Sequence, residues 1–138
     1  MSPEAYLQRK SAARANRAFY DALERLDLDA LRVCWLDDPS VKCVHPGGEL
    51  IVGPERVLES WRRIFENARP WRFELVDLDL EVAGEMAWAN QVERLHVALE
   101  SGVLIAESAA TNLWVRREEE WKLVLHHASP IARRFFED

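Results

Sequence analysis

The stretch Trp114-Val-Arg-Arg-Glu-Glu-Glu-Trp-Lys-Leu-Val-Leu-His-His-Ala-Ser-Pro130 reads as a β-hairpin. Leu113 and Val115 on one arm, and Leu123 and Leu125 on the other, alternate with polar neighbours, while the acidic run Glu118–Glu120 supplies the turn. The second arm ends in two adjacent titratable rings, His126 and His127. Consecutive strand residues point to opposite faces, so one of the two faces whatever this sheet covers. If Lys122 points to solvent, the covered side takes Leu123, Leu125 and His127, and His126 falls on the outer side.

Working outward from the hairpin, period-two patterning continues upstream. Phe73–Val82, Met86–Leu99 and Val103–Arg116 read as strands separated by Gly84-Glu85 and Ser101-Gly102. Within the first of these the apolar parity changes at Leu75-Val76, which predicts a β-bulge. Ahead of them lie three helical patterns. Pro3 to about Leu26 repeats Phe19, Ala22, Leu23 and Leu26 on one side, and its basic, alanine-rich first half, Gln8–Arg17, is expected to be more exposed. A second helix carries Leu28, Leu31 and Trp35, capped by Asp27 or Asp29, and should lie on the first as a lid. After the short strands Ser40–Pro46 and Glu49–Val52, Pro54 opens a third helix with Val57, Trp61, Ile64, Phe65 and Ala68 on its apolar face. A meander preceded by helices gives an α+β fold, a curved antiparallel sheet wrapped around three helices that close its concave face.

Composition bounds the function. The chain has 138 residues and reads as one domain, 1–138, with residues 1–15 extending the first helix and 132–138 as a tail. A net charge of −6, with basic residues interleaved among acids, argues against a nucleic-acid partner. No apolar run reaches membrane-span length, and the N-terminus lacks the order of a signal peptide. Cys34 and Cys43 are too few for a disulfide framework, and the cytoplasm is the expected location. No dinucleotide fingerprint, phosphate loop or nucleophile elbow is present, so no cofactor is expected. Adjacent histidines on a strand diverge, and no metal-ligand spacing exists, so no metal is expected either.

Asp38–Trp61 and Thr111–Ser129 together resemble the cone-shaped, cystatin-like fold of the nuclear transport factor 2, ketosteroid isomerase and SnoaL-like superfamily. The second stretch is similar to the Thr-x-x-Trp, Trp-x-x-Val and His-x-Ser pattern of SnoaL-like domains and of the association domain of calcium/calmodulin-dependent kinase II. The resemblance implies a homodimer through the convex face of the sheet and an apolar small-molecule pocket. It places His45-Pro46 where the isomerase carries its catalytic Asp, Thr111 near its protonated oxyanion-hole Asp, and Tyr20 as the candidate for its Tyr. The aligned isomerase strand also admits the opposite parity for His126 and His127.

A neutral imidazole suits proton transfer next to a carbonyl. The expected site therefore has His45 as base, with polar help from Asn90, Thr111 or His127. Tyr20, Trp35, Trp61 and Trp88 would complete its walls. The competing expectation is a hydrogen-bonded histidine in a filled interior, in a protein that binds a ligand without turnover or serves assembly. For Cys43, two residues from His45, a buried thiol is expected rather than a nucleophile. Trp114 and Trp121 are expected in the core.

Overall fold

The computed structural model describes residues 1–132, so the expected tail lies almost wholly outside the described residues. Its elements are α1 (Pro3–Glu24), α2 (Leu28–Cys34), β1 (Lys42–Val44), β2 (Ile51–Val52), α3 (Pro54–Asn67), β3 (Trp71–Ala83), β4 (Met86–Leu99), β5 (Gly102–Arg117) and β6 (Glu120–Pro130). The strands form one sheet in the order β2-β1-β6-β5-β4-β3. The α+β architecture is the one the sequence predicts. All neighbours are antiparallel except β1 and β6, which run parallel and set Cys43 beside His126.

The helix boundaries follow from local chemistry. Ser2 caps α1 by accepting from the Ala5 amide, with Pro3 in the first turn. At its other end Leu26 adopts φ +54°, and the amides of Leu26 and Asp27 return to the carbonyls of Leu23 and Ala22, which closes the helix in a Schellman turn. Asp27, of the two candidate caps, accepts from Ala30 and starts α2 at once. Gly53, at φ +97°, makes the tight entry to α3 that Pro54 continues.

The β5–β6 hairpin turns on Glu118 and Glu119, both at positive φ, as a two-residue type I′ turn requires. The bulge in β3 sits at Asp77-Leu78, between the Val76 and Asp79 pairings, so Phe73 and Leu75 share the inner face with Leu80 and Val82. A second bulge was not expected. Leu113 pairs with Leu125 but Trp114 with Leu123, leaving Val124 as the extra residue of β6. It reverses the parity of everything beyond it.

α1 lies across the concave face. Its ties run from Ser11 to Leu23: Trp121 Nε1 donates to Ser11 Oγ at 2.8 Å, and Trp71 Nε1 to the Leu23 carbonyl at 2.6 Å. Gln8–Arg17 is more exposed than the stretch after it, as expected, but is anchored by Ala12 and Asn16, which are buried along with Phe19, Tyr20 and Leu23. The core joins these residues to Leu31, Trp35, Val57, Trp61, Trp114 and Leu123. No helix among the described residues is long and apolar enough to cross a membrane.

Candidate functional site

The sheet divides the expected site residues into two sets. Tyr20, Trp35, His45 and Trp61 lie on the helix-covered side; Tyr20, Trp35 and Trp61 are buried and His45 is half-buried. Trp88, Asn90, Thr111 and His127 lie on the other side. Trp88, Asn90 and His127 are exposed, and Asn90 donates to Thr111 Oγ1 at 2.8 Å. The expectation that Trp88, Asn90, Thr111 and His127 line the same cavity as His45 is therefore corrected. The physical reason is register: β4 turns Ala87, Ala89, Gln91 and Glu93 inward, and the Val124 bulge turns His126 inward and His127 out.

What meets Tyr20 inside is a group of polar residues that the sequence does not advertise. Asn112 is fully buried, one residue from Thr111, and holds three elements together. Its amide donates to Asn16 Oδ1 at 2.9 Å and to the Tyr20 hydroxyl at 3.1 Å, and its Oδ1 lies 2.6 Å from His126 Nδ1. Asn16 Oδ1 also accepts from Trp114 Nε1 at 3.2 Å, while Asn16 Nδ2 donates to Gln91 Oε1 at 3.2 Å. Buried polar atoms need such partners, and these amides admit one orientation that satisfies them all.

The chain of donors ends at Glu93. The Tyr20 hydroxyl accepts from Asn112, so its own proton goes to Glu93 Oε2, 2.6 Å away. That bond does not offset the loss of water. Burial pushes the Glu93 carboxyl up to about 7, so near neutrality it is held between its two protonation states. Burial and the neighbouring carboxyl push the Tyr20 phenol well above its ordinary range, so it stays a donor. His126, with Nδ1–H spent on Asn112, turns Nε2 toward Glu93 Oε2 at 3.9 Å. Burial above all holds His126 down at about 3, so the ring is neutral and Nε2 carries a lone pair.

His45 ends β1 at the edge of this interior. Its ring stands edge-on to Trp61 at 4.5 Å, and Trp61 in turn lies 5.8 Å from His126 and 6.0 Å from Phe19. His45 Nε2 is 2.8 Å from Ser60 Oγ and 3.8 Å from Cys43 Sγ. Burial lowers its pKa, which favours a neutral imidazole with basic character. The Cys43 thiol is pushed up to about 12 by burial, so it stands beside the ring as a neutral neighbour.

Two hollows flank these groups. A groove of about 530 Å³ between α2 and α3 has Leu28, Trp35, Leu36 and Leu58 in its walls and Arg32 and Arg62 among its polar residues. Across the sheet, a hollow of about 470 Å³ is lined by Asn90, Val92, Ala109, Thr111, His127 and Ser129. The sequence does not single out Asn16, Ser60, Gln91, Glu93 or Asn112, and it leaves open which of His126 and His127 faces inward. A usable signal was present in α1, where Asn16, Tyr20 and Leu23 recur at i, i+4 and i+7.

Comparison with known proteins agrees with this architecture. The SnoaL-like domain profile matches residues 13–133. A solved protein from Streptomyces avermitilis, described as a candidate dehydratase of the NTF2-like family, is 32% identical with a TM-score of 0.86, covering 96% of this chain and 100% of its own. A candidate association domain of calcium/calmodulin-dependent protein kinase type II from Thiobacillus denitrificans is 30% identical with a TM-score of 0.78, covering 86% of this chain and 93% of its own. The F-box protein SKIP8 of Arabidopsis thaliana is 27% identical over 126 residues, 91% of this chain and 52% of SKIP8, so the chain spans about half the length of that relative. A cone of this topology, matched over nearly its whole length, leaves one conclusion: the chain belongs to the SnoaL-like domain family.

Proposed function

We propose that the protein is a cofactor-independent proton-transfer enzyme, an isomerase, cyclase or dehydratase that acts on a carbon next to a carbonyl in a small apolar substrate. The observation that carries this reading is Glu93, a carboxyl sealed among helix and sheet with one hydroxyl donor and a pKa of about 7. Burying a carboxyl without a cationic partner is costly, and perturbed acids of this kind concentrate at sites of chemistry. His45 is the base, a half-buried neutral imidazole against the Trp61 wall. Glu93, held by the Tyr20 hydroxyl, provides the acid and the donor for the oxygen of the developing enolate. The groove bordered by Trp35 is the entrance. The resemblance to a protein described as a candidate dehydratase supports the same class of reaction. We place this work in the cytoplasm, consistent with the two free cysteines.

The test is solvent exchange. In deuterated water, apolar ketones and enones incubated with the protein should lose their α-proton NMR signals faster than in buffer. His45→Gln and Glu93→Gln should each slow that exchange by about a hundredfold or more. Background rates across the panel, with no stabilisation of the protein by any compound, would sink the proposal.

A second reading concerns assembly. The outer face of the sheet leaves Trp88, Met86 and Leu78 exposed, and the Thiobacillus relative is described as a candidate association domain. We propose that this face pairs two copies. Sedimentation should give a dimer that Trp88→Glu splits; a monomeric wild-type protein at high concentration would end this reading.

A further inference from the structure

We propose that Ser60 is a positioning residue: it fixes His45 as the Nε2–H tautomer and leaves Nδ1 as the nitrogen that takes up a proton. The inference deepens the assignment of His45 as base and rests on it for its meaning, though not for its test. The reason is a count of protons. Ser60 Oγ lies 2.6 Å from the Val57 carbonyl oxygen, one turn earlier in α3. Two oxygens at that distance need a proton between them, and the carbonyl has none to give, so the hydroxyl proton of Ser60 is committed to Val57. What Ser60 offers His45 is therefore only a lone pair. At 2.8 Å the bond between them requires the proton to sit on His45 Nε2.

A neutral imidazole has one N–H, so Nδ1 is bare, and no hydrogen bond from the described residues reaches it. Cys43 does not disturb this assignment. Its sulfur approaches the same Nε2 at 3.8 Å, where the lone pair is already replaced by a proton, so the thiol has no acceptor on the ring. The backbone is held as well: the Gly48 amide returns to the His45 carbonyl at 2.8 Å, and a Cβ at Gly48 would come within 3.1 Å of that oxygen. His126 is set the opposite way, Nδ1–H to Asn112 with Nε2 bare. Two neighbouring histidines are thus locked as opposite tautomers by neutral partners.

The experiment is a long-range ¹H–¹⁵N correlation spectrum of the labelled protein at neutral pH. For His45, Nε2 should show the shift of a protonated ring nitrogen and Nδ1 that of an unprotonated one. In Ser60→Ala both should move toward a mixture, while the His126 signals stay in place and report an intact fold. Ser60→Thr, which keeps the hydroxyl, should restore the wild-type pattern. A wild-type spectrum with the proton on Nδ1, or identical His45 shifts in wild type and Ser60→Ala, overturns the assignment. Should Ser60→Ala not fold, the wild-type and Ser60→Thr spectra decide. If the tautomer is as stated but no carbonyl compound exchanges, the proton-transfer proposal falls and the lock by Ser60 stands. Exchange in a protein whose His45 carries Nδ1–H has the reverse meaning.

Discussion

Along β4, residues facing the helices and residues facing away follow opposite rules of size. Ala87, Ala89, Gln91 and Glu93 point inward and are nearly sealed from water, while Met86, Trp88 and Asn90 between them are exposed. Where α1 leaves little room, at Ala87 and Ala89, β4 supplies small side chains and the aromatic bulk comes from Phe19, Tyr20 and Trp114. The polar side chains that β4 turns inward acquire partners, Gln91 on Asn16 and the Ala110 carbonyl and Glu93 on Tyr20. On the outer face, a large apolar side chain is allowed and a polar one has water to satisfy it. Size and polarity thus report the face only when the opposing layer is known.

This contrast is sharpest in the tryptophans. Trp114→Ala should cost about 3–5 kcal/mol in urea unfolding, because it empties a fully buried site and removes a donor to Asn16. Trp88→Ala should stay within about 0.5 kcal/mol when measured on the monomer. Similar losses for both would break the distinction between the faces.

A pH profile examines the inner face alone. In the folded state Glu93 keeps its proton up to about 7, against an ordinary value of 4.5. The folded state then binds the extra proton between those values, and stability falls as pH rises through that window. His126 runs the other way: held at about 3 against an ordinary 6.5, it withdraws stability as pH falls from 6.5 to 3. Between pH 4.5 and 6.5 the two slopes oppose each other. Glu93→Gln leaves the climb due to the two imidazoles that burial holds down, His126 and, to a smaller extent, His45. Relative to wild type its stability should change by on the order of 3 kcal/mol across the Glu93 window. Parallel profiles would mean that Glu93 does not titrate in the folded protein as its burial requires.

The adjacent histidines give the smallest and most local comparison. His126→Ala strands the buried Asn112 carbonyl and should cost about 2 kcal/mol, whereas His127→Ala should change stability by less than about 0.5 kcal/mol. Reversal of that order, read from denaturation midpoints, would put the wrong ring inside.

The fold was legible because its signals are local: the period-two strands, the proline and glycine at α3, and the turn between β5 and β6. So were Tyr20, Trp35, His45 and Trp61 as residues of the inner side. The choice between His126 and His127 was not, because it depends on Val124, a β-branched residue with nothing in its side chain to mark a bulge. Glu93, Gln91 and Asn112 were hidden for a related reason. Polar residues alternating with Ala or Trp suggest a wet face until the partners that satisfy them, Asn16 and Tyr20 on α1, are placed opposite. Ser60 needed the path of β1 beside α3, which no spacing along the chain expresses.

The ties from α1 to Asn112 span 96 residues to Asn16 and 92 to Tyr20. At a synthesis rate of about 5–20 residues per second, roughly 5–20 s separate the emergence of the helix from that of its partner strand. Until then Phe19, Tyr20 and Leu23 are covered only in part, by groups such as Trp35, Trp61 and Phe73 that emerge earlier. Closing so long a loop is also entropically slow. This amphipathic helix is thus fully secured only when β5 arrives, and it is where a chaperone would find the unfinished protein.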